Sequence, residues 1–322
     1  MGKIFVKVMN RRFVEWSDRA KLLPDEQAGF RRGHSTMDNV LVLDTIVQER
    51  LKRGRKTYCA MVDLRQAYDR VNREALWFKL SRMGVSERFL GLMKSMYKNS
   101  VFSIKNGKAA TVSKAVESKS GVLQGAQNSA ALFIHYVADL GRTISELEGS
   151  HAPVVGDKEI SCLFFADDIC FLSSSVLGLQ RMLNSLEKYC AEWNLEVNVK
   201  KTKAIVFKKG AKLAKFEKWR YAGEPIEVVR KFNYLGINFS FNGKWNGHLE
   251  EKIRKLNPAS RKLLRLGYGI KDCPLKLSLR LFDTLITSSA LYGAEVLAWD
   301  YAGLEKLAAL ERKHTRGILG FH

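Results

Sequence analysis

Three aspartates carry the chemistry that this sequence offers most directly. Asp63 closes the apolar, β-rich run Thr57-Tyr58-Cys59-Ala60-Met61-Val62, and Asp167-Asp168 stand inside Phe164-Phe165-Ala166-Asp167-Asp168-Ile169-Cys170-Phe171. Carboxylates in such surroundings are costly unless their charge is compensated, and two adjacent ones also repel each other. A bound cation is the natural compensation, and hard oxygen donors select Mg²⁺ or Mn²⁺ over softer metals. Two such ions about 3.5–4 Å apart can activate an attacking hydroxyl and stabilise a leaving pyrophosphate, which is the chemistry of nucleotide addition. The bland alternative is an ordinary Asp-rich turn, with Asp63 capping a helix. The apolar flanks on both sides of the pair, and a matching aspartate at an upstream strand end, weigh towards the metal.

The elements around these residues must bring them together. Thr57 to Leu64 reads as a buried strand ending in its aspartate; an apolar strand over 159–165 and another over 169–173 read as a hairpin with Asp167 and Asp168 at its tip. Helical spacing predicts helices over 3–20 and over 36–53, the second opening at Ser35 or Thr36 and closing at Gly54. Further helices are expected at 73–83 and 86–98, separated by Gly84, then at 176–193, with one long helix from Asn128 to 147. Strand-like segments lie near 101–105, 111–118 and 203–208, and 231–241 resembles another hairpin. The lysine-dense stretch 208–231 reads as loop-rich, and helices follow at 246–266, 275–290 and 301–318. No internal repeat or low-complexity linker is present, and the shift to helix near 241–245 is the best boundary.

Composition narrows the partners. The 322 residues hold 54 Lys+Arg against 33 Asp+Glu, a formal charge of +21 that attracts polyanions. Nucleic acid is the usual one, although an acidic membrane surface would also fit. No stretch approaches the ~18–20 apolar residues of a membrane span. The start Met1-Gly2-Lys3-Ile4-Phe5-Val6-Lys7 interrupts its apolar run with lysines, so no secretory signal is expected; Gly2 would suit myristoylation, but Val6 stands where Ser or Thr is needed. Cys59, Cys162, Cys170, Cys190 and Cys273 form no Cys-x-x-Cys pair and read as buried thiols of a reducing, intracellular compartment. The histidines do not cluster with them, so no zinc site is expected.

Several blocks together resemble the reverse-transcriptase domain of non-LTR (LINE-type) retrotransposons. Asp63-Leu64-Arg65-Gln66-Ala67-Tyr68-Asp69 is similar to the first catalytic block, and Gly121-Val122-Leu123-Gln124-Gly125 with Ser129 and Leu132-Phe133 to the next. Phe165-Ala166-Asp167-Asp168 resembles the aromatic-x-Asp-Asp block; Asn198-Val199-Lys200-Lys201-Thr202-Lys203 and Phe232-Asn233-Tyr234-Leu235-Gly236 resemble the two that close the palm. Upstream, Gln27-Ala28-Gly29-Phe30-Arg31-Arg32-Gly33-His34-Ser35-Thr36 is similar to a finger segment of these elements. Downstream, Leu291-Tyr292-Gly293-Ala294-Glu295 and the stretch from Leu310-Glu311-Arg312 to Gly320 resemble their helical region after the palm.

The resemblance implies an α+β right-hand polymerase: partial fingers at 1–56, an antiparallel-sheet palm with remaining finger elements at 57–240, and a helical thumb-like region at 241–322. It implies Asp63, Asp167 and Asp168 as catalytic metal ligands for Mg²⁺ or Mn²⁺. Alternation of side chains along a strand ranks Asp63 and Asp167 above Asp168 unless the turn rotates one of the pair. Leu64, Tyr68, Gln124 and Gly125 would contact the incoming deoxynucleoside triphosphate. Tyr68 matches the steric gate against a ribose 2′-hydroxyl, with a core aromatic as its alternative, and a plain surface amide is the alternative for Gln124. Lys201 would protonate or neutralise the leaving pyrophosphate, and a merely solvated lysine fits nearly as well. Tyr234, Leu235 and Gly236 would hold the primer end, or form a plain structural turn. The basic stretch 208–265, with Phe216, Trp219, Tyr221 and Trp245 interleaved, suits an RNA template paired with a DNA primer. No membrane partner is expected, and action in the nucleus follows if the chain works as its relatives do.

Two departures from the pattern bear on activity. Ser129-Ala130 stands where the family usually has Ser-Pro, and proline fixes a helix start. The resemblance also begins just after the basic finger hairpin that grips the triphosphate in the family, which makes an N-terminally truncated domain the expectation. Two functions therefore stand: an RNA-directed DNA polymerase extending a primer by two-metal nucleotidyl transfer, or a catalytically impaired remnant that only binds nucleic acid.

Overall fold

In the computed structural model the residues described are 2–98, 100–103, 112–118, 120–123, 128–210, 212–269, 274–297 and 301–318. Apolar residues at helical spacing form α1 (Gly2–Arg19) and α2 (Thr36–Lys52). α2 is capped as its sequence suggests: Ser35 Oγ accepts from Met37 N at 3.1 Å, and the Asp38 carboxylate accepts from Ser35 N at 2.8 Å. The run of β-formers becomes β1 (Thr57–Asp63), followed by α3 (Arg73–Arg82), which Asn72 caps, and α4 (Glu87–Lys98). β2 (Val101–Phe102) and β3 (Val116–Glu117) form a short antiparallel pair.

The expected single helix from Asn128 is two helices, α5 (Ser129–Tyr136) and α6 (Ala138–Ser145). The break has a physical cause. The Tyr136 carbonyl accepts from the Lys79 ammonium at 2.8 Å, and Leu140 N, its ordinary helical partner, donates to Val137 O at 3.1 Å instead. Lys79 is buried, and its charge is further met by Asp139 at 2.7 Å, the Tyr189 hydroxyl at 2.9 Å and the face of Trp193.

A small hairpin that the sequence did not announce, β4 (Val154–Val155) and β5 (Lys158–Glu159), precedes β6 (Cys162–Phe165) and β7 (Asp168–Ser173). α7 (Val176–Glu192) is capped by Ser175, and β8 (Lys203–Phe207) follows. The stretch 208–231, expected to be loop-rich, holds β9 (Trp219–Tyr221) and β10 (Glu224–Val229). Trp219 and Tyr221 point inward and Arg220 outward, an alternation masked in sequence by the surrounding lysines. A six-stranded sheet runs β6-β7-β1-β8-β10-β9; the β6-β7-β1 portion is antiparallel, whereas β10 lies parallel to β8.

β11 (Lys231–Tyr234) and β12 (Ile237–Ser240) form a separate hairpin, followed by α8 (Asn246–Gly269), α9 (Leu275–Phe282), a π-helical turn at Asp283–Thr287, α10 (Ser288–Leu291) and α11 (Tyr301–Ile318). The mixture of helices and a sheet is an α+β architecture. By contact the chain forms two units: Met1–Asn39, Lys56–Val206 and Ala211–Val229 make the first; Val40–Arg55, Phe207–Gly210 and Arg230–His322 make the second. This grouping is discontinuous in sequence, unlike the three continuous spans 1–56, 57–240 and 241–322. In the first unit one sheet face (Tyr58, Ala60, Val62, Ile169, Phe171, Phe164) packs with helical residues such as Leu76, Leu132, Phe133 and Leu183 into a single core. In the second, Leu256, Phe282, Ile286, Ala290 and Leu310 form a helical core of their own. Among the described residues no helix is long and apolar enough to cross a membrane. Cys59, Cys162, Cys170 and Cys190 are buried, and Cys273 lies outside the described residues.

Candidate active site

The three aspartates meet at one end of the antiparallel strands of the first unit. β1 and β7 pair so that Asp63 stands directly opposite Asp168, with Val62 opposite Ile169 behind them. Directly opposed residues project from the same sheet face, with Cβ atoms about 4.5–5.5 Å apart. Asp167 is not on the strand: Phe165 pairs with Asp168, and Ala166-Asp167 form the turn between them, Ala166 holding a left-handed φ of 57°. Strict alternation therefore does not govern this pair, because the turn sets the direction of Asp167.

Burial and neighbouring charge act together on Asp167 and Asp168. Burial raises the Asp167 carboxyl above its ordinary range, its own backbone N–H lowers it, and the charge of Asp63 raises it further. Asp168 is raised by burial and then by the charges of Asp167 and Asp63. Lys201 Nζ stands 3.9 Å from Asp63 Oδ1, and its side chain remains largely exposed. Carboxyls raised by burial and by neighbouring negative charge are donors that a hard cation would neutralise. Among the described residues no three His, Cys, Asp or Glu side chains form a ready-made metal cage. Mg²⁺ takes oxygen donors in near-octahedral geometry and is usually bound through one or two carboxylates with water and substrate phosphates, and Asp63 opposite Asp168 supplies donors of that kind. The residues present fit such an ion.

The backbone at Asp63 is clamped by the segment after α7. Thr202 Oγ1, fully buried, accepts from Asp63 N at 3.2 Å, Asn198 N donates to Asp63 O at 2.8 Å, and Leu64 bridges to Val197. The tight turn from Asn198 to Thr202 carries Lys201 to the carboxylate. Sequence reading picked Lys201 from this block but missed Thr202; its signal was a hydroxyl residue directly before a β-run. Leu64, expected to contact the nucleotide, is buried in the core.

Tyr68 lies on the turn after β1, its ring stacked on Phe133 at 4.8 Å between centroids. Burial pushes its phenol up to about 12, and the charge of Asp167 adds to that, which places the hydroxyl end within the field of the acidic cluster. The turn is held by Val122 N donating to Tyr68 O at 2.9 Å and Gly121 N to Val71 O at 2.8 Å. Gly121 has no room for a side chain, since a Cβ there would come within 2.7 Å of the Asp69 backbone. Gln124 and Gly125 lie outside the described residues.

In the second unit, Tyr234, Leu235 and Gly236 form the tip of the β11–β12 hairpin, with Tyr234 paired to Ile237 and both Leu235 (φ 49°) and Gly236 (φ 84°) left-handed. Two successive positive φ angles are the requirement of a type I′ turn. Tyr292 OH donates to Leu235 O at 2.8 Å and fills the space over Gly236, where a Cβ would meet its ring at 2.9 Å. The tip is therefore a rigid feature rather than a loose loop.

Residues 2–239 match the protein family described as reverse transcriptase (RNA-dependent DNA polymerase). The RNA-directed DNA polymerase from mobile element jockey of Drosophila melanogaster is 24% identical over 333 residues, covering 99% of this chain and 34% of that protein. The Pol polyprotein from the type-2 retrotransposable element R2DM of the same organism is 25% identical over 276 residues, 84% of this chain and 24% of that one. The chain thus spans about a third or less of the length of these relatives. Among solved structures, apo telomerase from Candida tropicalis shares the fold at a TM-score of 0.53 and 13% identity, over 98% of this chain and 55% of the other.

Proposed function

This chain belongs to the reverse transcriptase family, of the non-LTR retrotransposon kind, and we propose that Asp63, Asp167 and Asp168 make it the polymerase part of an RNA-directed DNA polymerase. The observation that carries this reading is the register that sets Asp63 opposite Asp168, with Asp167 on the adjoining turn. Mg²⁺ or Mn²⁺, when bound there as a pair, supplies Lewis-acid activation of the primer 3′-hydroxyl and charge neutralisation at the triphosphate. Asp63, held by Thr202 and Asn198, orients a ligand oxygen; Asp167 and Asp168 furnish the others. Lys201, exposed beside Asp63, meets the negative charge that develops on departing pyrophosphate.

Tyr68 serves as the wall of the sugar pocket. Its ring is braced on one side by Phe133, takes the volume a 2′-hydroxyl would need and favours deoxynucleotides. Gln124 and Gly125, by their resemblance to the family's block, serve the incoming nucleotide, and the tip Tyr234-Leu235-Gly236 holds the primer end. Template RNA and primer DNA are drawn in by the +21 charge. The right-hand reading divides the chain into partial fingers (1–56), palm (57–240) and thumb-like region (241–322). Action in the nucleus goes with this role. The test is template-directed incorporation of dTMP on poly(rA)/oligo(dT) with Mg²⁺ and with Mn²⁺. Incorporation is expected, and nucleic-acid binding without incorporation under either ion would favour the non-enzymatic remnant.

A further inference from the structure

The turn that aims Asp167 is held from outside the hairpin. Gln27 is buried, and its side-chain oxygen accepts two backbone N–H groups, from Gly29 at 2.8 Å and from Ala166 at 3.0 Å. Both neighbours are donors, so only the oxygen end of the amide satisfies the site. The segment carrying Gln27 runs alongside β6 as an added strand: Gln27 bridges Phe164 in parallel, Phe164 N donates to Glu26 O at 2.8 Å, and Ala28 N donates to Phe164 O at 2.9 Å. The same Phe164 carbonyl accepts from Asn39 Nδ2 at 3.0 Å. Gly29 lies so near that an added Cβ would come within 2.4 Å of Ala166 N, so nothing larger fits between the segment and the turn. Arg31 closes the segment on itself by donating to Pro24 O at 2.8 Å and Gln27 O at 3.1 Å.

Ala166 needs such support. A non-glycine residue at a φ of 57° is held in a conformation that alanine rarely adopts, and it directly precedes Asp167. Release of its N–H would let the turn relax towards ordinary backbone angles and rotate the carboxylate that follows. We infer that Gln27 is the positioning residue of the acidic cluster: by holding the Ala166 N–H it sets where Asp167 points relative to Asp63 and Asp168. The inference rests on the metal reading of those aspartates, and Gln27 itself touches neither ion nor substrate.

Gln27→Met keeps the length and removes the acceptor, whereas Gln27→Glu keeps an oxygen in place. The experiment titrates Mn²⁺ into each chain, following free ion by electron paramagnetic resonance, and measures hydrogen exchange at the Ala166 amide and the melting temperature alongside. Outer-shell partners of metal ligands are worth roughly 10–100-fold in affinity. Gln27→Met should weaken Mn²⁺ binding about tenfold and speed Ala166 exchange, while Gln27→Glu stays near wild type in both. A role confined to stability would lower the melting temperature and leave the Mn²⁺ affinity of the folded chain unchanged, which overturns the inference. If Gln27→Met does not fold, wild type decides through its own exchange with and without Mg²⁺: an Ala166 amide that exchanges fast, or alike in both, overturns the inference, and a protected one that the ion slows further upholds it. Wild type that binds no Mn²⁺ overturns the metal reading and this inference together; wild type that binds it as Gln27→Met does overturns the inference alone.

Discussion

Asp63 and Asp168 face each other across the β1–β7 ladder, two like charges in the position where opposed carboxylates destabilise a sheet. The fold tolerates this repulsion, and the Asp168 carboxyl is held above its ordinary range by burial, by Asp167 and by Asp63. A carboxyl raised in the folded state contributes stability below the ordinary carboxylate range and loses it as pH rises through the raised value. The cluster therefore opposes folding at neutral pH. Asp168→Asn should melt higher than wild type near pH 7, and the difference should vanish as pH falls below about 4. Mn²⁺ should raise the melting temperature of wild type but not of an Asp63→Asn/Asp168→Asn chain. Differential scanning fluorimetry across pH, with and without ion, reads both; a lower-melting Asp168→Asn would show that the carboxylate is structural.

Tyr68→Ala is expected to admit ribonucleotides, with matched deoxy- and ribonucleotide incorporation as the readout. Because the ring also stacks on Phe133, the variant should lose about 1–2 kcal/mol of stability. Tyr68→Phe keeps the ring and should keep the preference. An unchanged sugar preference in Tyr68→Ala would leave Tyr68 a packing residue only.

Lys79 offers a test of the fold apart from the chemistry. Lys79→Met removes the donor to the Tyr136 carbonyl, the Tyr189 hydroxyl and Asp139 from a buried site. A cost of roughly 2–4 kcal/mol is expected, since buried acceptors are left unpaired. Denaturant unfolding measures it, and a neutral substitution would refute the account of the break between α5 and α6.

These cases mark what the sequence could and could not say. Strand-end Asp63 and the hairpin tip at Asp167-Asp168 were legible because apolar runs and turn residues are local signals. The helix break at Val137 was not, because its cause is a lysine far upstream in the chain that claims the Tyr136 carbonyl. β9 and β10 hid behind a run of lysines, of which Lys209, Lys212, Lys215 and Lys218 are exposed. Gln27 could be read as part of a family block, but its hold on Ala166 depends on a pairing between segments distant in sequence. Local pattern located the acids, while long-range hydrogen bonds decide how they are aimed.

Nucleic-acid affinity should fall steeply with salt, because each neutralised phosphate releases counterions. With several phosphate contacts, a loss of about 10³-fold or more is expected between 50 and 200 mM salt. Filter binding of an RNA–DNA duplex across that range measures it, and a flat response would contradict a backbone-binding role for the +21 charge.

The most direct measurement is the rate of dTMP addition to oligo(dT) on poly(rA) by wild type beside Asp63→Ala, at equal duplex occupancy. Wild type should extend the primer with Mg²⁺ or Mn²⁺, and Asp63→Ala should be slower by on the order of 10³-fold or more, about 4 kcal/mol of barrier. Extension by Asp63→Ala at the wild-type rate would place the chemistry elsewhere and contradict the assignment of the acidic cluster as the polymerase centre.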